Sequence, residues 1–417
     1  MRTVVTVGVA VFIILGLATT GVSQTTYYAC VVKDGTLRMV SQGQLCKNNE
    51  TRISWNSVGP QGPPGPSGES DPPINLTVRC GQGEKVANAL GLGMNRSGRL
   101  TITIEGTCIE SVTISRDDVT LVGASPGDGL QAPDATSNPV QVTGAQRVTL
   151  SQLRLQGGIQ GLAVTHGAAV SASNLSVVGA NWGIGVDGAV FQCGDCTVEG
   201  NSMGVGVNLG SRVALWHSTV RNNDHHGVFV NGGSVLLNNT TVERNAGAGV
   251  FGWNGGQIGV SGSTIKGNLG GGITLQLATV QVDQGSFITG NSQSGIGLYF
   301  GARANLRHVT IEDNDGGVTA NGGSVVLLGG DTEATATIIR GNHGDGVQLH
   351  DTSVAGASNT NGVQITANTQ QGVFCAPTPA VAQITTAGGP SSYSLNAQNV
   401  FGNIVGPQIS CPGIAPY

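Results

Sequence analysis

An asparagine returns at nearly constant intervals in one fixed setting. Asn201, Asn223, Asn245, Asn268, Asn291 and Asn314 stand 22, 22, 23, 23 and 23 residues apart. Fainter copies stand at Asn181, Asn342 and Asn368. Three positions before each of the six lies a β-branched residue: Val198, Val220, Val242, Ile265, Ile288 and Ile311. Three or four positions after it comes a glycine followed by Val or Ile, as in Gly227-Val228 and Gly272-Ile273. A fixed period of this size means stacked structural units rather than one compact core. Stacked in register, the asparagines form a ladder in which each amide bonds the ones above and below.

Composition agrees with many short strands joined by tight turns. Gly accounts for 68 of the 417 residues, and 39% are hydrophobic, too many for a disordered chain. Only 10% of residues are charged, the net charge is −5, and no basic stripe is present, which argues against nucleic acid as a partner.

Arg2, an apolar run from Val4 to Leu17 and small or polar residues up to Gln24 read as a secretory signal peptide cleaved after Ser23 or Gln24. A secreted protein, extracellular or held at the cell surface, is expected, and no later stretch is long and apolar enough to span a membrane. Eight cysteines in an exported chain favour disulfides. Proximity suggests Cys30–Cys46, Cys80–Cys108, Cys193–Cys196 and Cys375–Cys411. The Cys193-Gly-Asp-Cys196 spacing has no second Cys pair or nearby His, so it reads as a structural clip, and no metal site is assigned.

Four segments follow: a signal peptide at 1–24, a small polar head at 25–58, a collagen-like linker at 59–75 and the repeat body at 76–411. The linker carries Gly59-Pro60-Gln61, Gly62-Pro63-Pro64, Gly65-Pro66-Ser67 and Gly68-Glu69-Ser70, four Gly-X-Y triplets. They suit either a stiff polyproline spacer or the neck of a homotrimer. In the body, 83–92 has the pattern of a short amphipathic helix, while Leu100–Gly106 and Val119–Gly123 alternate like strands. A helix there would cover the open end of a stack.

With these strands and the Val/Ile-x-x-Asn-x-x-x-Gly-Val/Ile repeats, residues 76–375 resemble the right-handed parallel β-helix of the pectin-lyase-like superfamily. The resemblance implies an all-β fold of three-strand coils. It says little about activity, since that superfamily spans lyases, hydrolases, epimerases, phage tailspikes and adhesins.

Each coil divides into a strand before the asparagine, a second after the glycine and a third after a further turn. Two positions before the asparagines run Glu199, Arg221, Glu243, Lys266, Thr289, Glu312 and Arg340, a row of mostly alternating charge that suits cross-strand pairing. The second strand turns Phe229, Phe251, Trp253, Tyr299 and Phe374 outward, with Thr274, Gln276, Gln348 and His350 between them. Aromatic rows can stack on sugar rings while amides bond the hydroxyls. In the third strand, Val213/Leu215, Val235/Leu237, Ile258/Val260, Val280/Val282, Ala304/Leu306 and Val325/Leu327 read as inward. That leaves Arg212, Trp216, Asn238, Gln257, Gln281, Asp283, Arg303, Asn305 and Arg307 outward, on the face where the resemblance places a substrate groove.

Asp283 and Arg307 fall on adjacent coils. They could act as base and charge-stabilising cation in proton abstraction beside a uronate carboxylate, although an ordinary surface salt bridge accounts for them more simply. Glycosidic hydrolysis usually needs two facing carboxylates, and this face offers one. The combination of Asn-Thr-Asp, Asp-Asp and Gly-His-Gly sets that polygalacturonases show is not found in the sequence, nor is an aspartate cluster for Ca²⁺. Asp224-His225-His226, His343-Gly344-Asp345 and His350-Asp351 read as solvated turn residues. The sequence therefore points to recognition of a polysaccharide or cell-surface glycan, with Phe229, Phe251, Trp253, Tyr299, Trp216 and Arg303 as contacts and no cofactor. The alternatives are a lyase or epimerase on acidic glycans, using Asp283, Arg307 and in that case Ca²⁺, and a structural stalk or adhesin with a protein partner.

Overall fold

The computed structural model describes residues 26–56, 72–93, 97–330, 335–357, 362–376, 400–404 and 408–411. Residues 1–25 and 57–71, which hold the signal-peptide pattern and the Gly-X-Y triplets, lie outside the described residues.

The described residues divide into two compact units, 26–56 and those from 72 onward. The first contains an antiparallel sheet in which Thr26–Val32 lies between Leu37–Val40 and Glu50–Asn56. Cys30–Cys46 clips it, and Arg38 pairs with Glu50 at 2.5 Å.

The second unit is a right-handed parallel β-helix. Among the described residues its strands form three sheets of thirteen, and within each sheet successive coils pair in parallel. We call these the ladder sheet (strands such as Thr241–Glu243, before the asparagine), the aromatic sheet (Val250–Trp253, after the glycine) and the groove sheet (Gln257–Ser261). Alternation sends every second residue inward, where like stacks on like. Val198, Val220, Val242, Ile265, Ile288 and Ile311 are in register one above another and at most 1% exposed. Each such side chain contributes about 1.5–3 kcal/mol by leaving water.

The repeat setting has a packing cause. Asn201, Asn223, Asn245, Asn268, Asn291, Asn314, Asn342 and Asn368 are buried, and each donates both its backbone N–H and its Nδ2 to the Oδ1 of the next. Asn403, unrecognised in the sequence, is the ninth, and its amide ends on Gln408 Oε1 at 2.8 Å. Asn181 is not in the series. Val177 stacks on Val198, so the position matching Asn201 is Ala180, whose N–H donates to Asn201 Oδ1, and Asn181 is exposed. The glycine after each asparagine faces the next coil: a Cβ on Gly204 would stand 2.1 Å from the Gly227 carbonyl oxygen and 3.0 Å from Asn223 Nδ2. Any side chain there would push the coils apart.

Along the outward row of the ladder sheet, Glu199 pairs with Arg221 at 2.7 Å and Glu312 with Arg340 at 2.8 Å. Glu243 pairs with Lys266 and with its neighbour Arg244.

The predicted helix forms at Val86–Gly93 and closes the N-terminal end of the stack, adding Val86, Ala89 and Leu90 to the core. Glu110 accepts the Val86 and Ala87 N–H groups at its start (2.8 and 3.1 Å), and Arg116 donates to the carbonyl of Gly93, its last residue. All four expected disulfides are formed. One strand departs from the expected phase. In Val325–Gly329, Val326 and Leu328 are buried, while Val325 and Leu327 turn outward. With every side chain of that strand apolar, alternation gives no phase, and its pairing with Ala304 and Leu306 decides it.

Candidate functional site

The outward face of the groove sheet carries a shallow groove of about 800 Å³ crossing five coils from Ser234 to Leu327. Its middle row reads Leu236, Gly259, Gln281, Asn305 and Leu327, each in register with the next. Leu236 and Leu327, each 39% exposed, stand at the two ends, and the Leu236 side chain leans over Gly259, its Cδ1 3.1 Å from where a Cβ would be. Adjacent coils lie about 4.8 Å apart, so the row spans about 19 Å.

The groove exposes more apolar than polar surface and is nearly uncharged. Asn238, Gln257, Gln281, Gln284 and Asn305 line it with amides, Ser234, Ser261 and Thr279 with hydroxyls, and Arg303 and Asp283 with single charges. Asp283 is the one carboxylate among the lining residues. It lies just beyond the Val282–Leu306 pair, as does Arg307, so the two are on adjacent coils as expected. The expected ion pair does not form among the described residues: Asp283 Oδ2 accepts from Gln281 Nε2 at 3.0 Å, and Arg303 and Arg307 extend outward, exposed. Asp283 Oδ1 and Ser261 Oγ, on paired residues, are buried without a hydrogen-bond partner. Trp216 is half-buried in register with Asn238, at one end of the groove.

The aromatic sheet has a different character. Phe229 and Phe251 pair in register with ring centroids 5.8 Å apart and planes 2° from parallel. His226 stacks on Phe251 at 4.7 Å, and Trp182 meets Phe229 edge-on at 6.0 Å. Their flat faces are turned to one another. The Trp182 ring also covers Gly206, which has no side chain to displace it. His226 is therefore no solvated turn residue. Burial lowers its pKa, the charge of His225 adds to that, and Nδ1 accepts the Ala248 N–H at 3.0 Å. Asp345, also expected in solvent, has its pKa raised by burial and accepts the Gln371 N–H at 2.9 Å. Trp253 is free of those stacks and 47% exposed, in a row with Asn231, Gln276 and Tyr299. Among the described residues, neither histidine group brings three ligand atoms together. The one such group, Cys30, Cys46 and Glu50, has its sulfurs in a disulfide.

Sequence reasoning missed the hydroxyl series beside the groove. Cys196 N–H donates to Ser218 Oγ, Ser218 to Thr240, Thr240 to Ser263 and Ser263 to Ser286. The signal was present: each hydroxyl stands five residues before a ladder asparagine.

The model of the right-handed β-helix region matches residues 138–287 and 248–387, together more than half of the chain. The chain belongs to the right-handed β-helix family. No curated protein matches this β-helix in sequence. Among solved structures it is similar to the A-module of the Azotobacter vinelandii mannuronan C-5 epimerase AlgE4, at 16% identity and a TM-score of 0.51, over 74% of this chain and 93% of that one. The pectate lyase Pel9A matches at 14% identity and a TM-score of 0.44, over 60% of this chain and 78% of that one. The Agl-KA catalytic domain matches at 11% and 0.46, over 85% and 82%. At such identities the likeness is one of fold.

Proposed function

We propose that this secreted β-helix binds an extended polysaccharide along the groove sheet and leaves the polymer intact. The carrying observation is the groove itself: about 800 Å³ with a largely apolar lining, amides and hydroxyls as most of its polar groups, and one carboxylate among its lining residues. Neutral hydrogen-bonding groups that both donate and accept suit sugar hydroxyls. Hydrolysis by the usual pair would need a second carboxylate about 5–9 Å from the first. The Azotobacter vinelandii module of the same fold is named for a polysaccharide, mannuronan, which supports the ligand class. Four disulfides support maturation in an oxidising compartment, and no helix among the described residues is long and apolar enough to cross a membrane. Trp216 and Arg303 serve as contacts at the groove ends. Phe229 and Phe251 spend their ring faces on each other and on His226.

One observation favours a lyase or epimerase as the second reading. Asp283 has an oxygen without a partner, and Arg307 on the next coil is not neutralised by it. A base and a cation so placed suit proton abstraction beside a carboxylate, with Ca²⁺ as the cofactor to add in that case.

The test is size-exclusion chromatography of the mature protein with acidic and neutral polysaccharides, Ca²⁺ present, with NMR of the recovered polymer. Co-elution with polymer of unchanged length and composition is expected, weakened at least tenfold by Gln257→Ala with Gln281→Ala. Shortened or epimerised polymer that Asp283→Ala abolishes would establish the second reading. Absence of retention across the panel would refute glycan binding.

A further inference from the structure

The turn joining the aromatic sheet to the groove sheet takes the chain through the left-handed region at the same register in successive coils. Gly232, Asn254, Gly322 and Asp351 occupy it with φ of 67°, 51°, 64° and 45°. These are residue types that accept such a backbone. Two coils between them break the rule: Leu277 and Phe300 sit there at φ 53° and 57°. Each follows the Gln276–Tyr299 pair, so they are neighbours one strand spacing apart. They are also 56% and 62% exposed. A bulky apolar residue is thus held in an unfavourable backbone conformation and left in water, twice in succession. Neither local structure nor the core explains it, and strain of this kind persists where a side chain is needed for something else.

Trp253, 47% exposed, ends the aromatic-sheet strand of the coil before Leu277, while the Tyr299 ring folds back over Gly297. Leu277, Phe300 and Trp253 form a ridge on the order of 400 Å² of apolar surface, about the largest patch a monomer usually exposes and often a functional one. We propose that this ridge is the face through which copies of the chain associate side by side. Leucine and phenylalanine carry no group for sugar hydroxyls, which favours a protein surface over a glycan. The sequence supplies the reason for a second copy: the Gly-X-Y triplets from Gly59 to Ser70 form a collagen helix only when three chains meet. A stable interface needs about 800 Å² per partner, roughly twice the ridge. Tethering through the triplets raises the local concentration to about millimolar, where a weak face suffices. Ridge and triplets then depend on each other, since four triplets are marginal alone.

The experiment is size-exclusion chromatography with light scattering on the full mature chain at micromolar concentrations. It compares wild type, the double variant Leu277→Asn/Phe300→Gly, and Leu269→Asn, a leucine 64% exposed on another edge. Asn and Gly suit the left-handed backbone better than the residues they replace, so the double variant keeps its fold, verified by circular dichroism. Wild type and Leu269→Asn are expected to run as the same oligomer. The double variant should be monomeric, with association weakened at least tenfold. A monomeric wild type, or a double variant with the wild-type mass, overturns the proposal. Unchanged mass with lost polysaccharide retention also overturns it, and reassigns the ridge to the glycan.

Discussion

Asn268→Ala tests whether the ladder holds the stack or merely decorates it. The Asn268 side chain makes four hydrogen bonds. Its Nδ2 donates to Asn291 Oδ1 at 2.9 Å and to the Val242 carbonyl at 3.2 Å. Its Oδ1 accepts the Asn245 N–H at 3.0 Å and Asn245 Nδ2 at 2.9 Å. After truncation, Asn245 Nδ2 keeps the Val220 carbonyl at 3.3 Å, and Asn291 Oδ1 keeps the Asn268 N–H at 3.0 Å. The Asn245 N–H loses its recorded acceptor. One stranded donor costs roughly 1–3 kcal/mol and each lost bond nearer 1, so about 3–4 kcal/mol is expected. Asn201, at the start of the series, makes three such bonds, through Ala180, Val177 and Asn223. Asn201→Ala should therefore cost about 1 kcal/mol less. Because each coil touches only its neighbours, part of the loss will appear as local opening. Hydrogen exchange read coil by coil, beside urea unfolding with disulfides intact, is the assay. A loss below about 1 kcal/mol, or exchange at the Asn245 amide unchanged, would refute the account.

Glu110→Ala removes the acceptor of the Val86 and Ala87 N–H groups and should cost about 1–2 kcal/mol, read as faster exchange across Val86–Gly93 with distant coils unaffected. His226 has a folded pKa below its ordinary 6.5, so the unfolded chain takes up the proton first. Its stabilisation is full above pH 6.5 and is lost as pH falls through the folded pKa; His226→Gln, which can still accept from Ala248, should remove that part of the pH–stability profile. Asp345 is the opposite case. Its folded pKa is raised above 3.8, so its stabilisation is present below pH 3.8 and lost as pH rises through the folded value. Asp345→Asn should therefore raise the melting temperature at pH 7.

The architecture was legible because the ladder places one residue type at one period, and the stacked Val/Ile residues mark the same period three positions earlier. Legibility failed where the marker was absent or ambiguous. Asn403 comes 35 residues after Asn368, which hides it from a periodic search. Asn181 misled because a nearby asparagine is a weaker guide than the Val177 register. The four consecutive apolar residues from Val325 to Leu328 carry no alternation to read. Sequence placed Asp283, Arg303 and Arg307 on the groove sheet, where they lie. It could not show that Leu236 leans over Gly259, nor that Phe229 and Phe251 turn their faces to one another. Those follow from rotamers and neighbours, which a one-dimensional pattern does not contain. The left-handed turn at Leu277 and Phe300 was illegible for the same reason: nothing about either residue announces that backbone.

Since every ladder asparagine after Asn201 receives the same two donors from the coil before it, one coil can replace another. Excising residues 223–244 would bring Asn245 Oδ1 to the N–H and Nδ2 of Asn201, and Val220, still stacked on Val198, would meet Ile265 where Val242 did. Ser234, Leu236 and Asn238 would go too, shortening the groove by about 4.8 Å. The molecule's length is therefore counted in whole coils. Adding or removing one changes how long a ligand the groove can span, while the remaining coils keep their register.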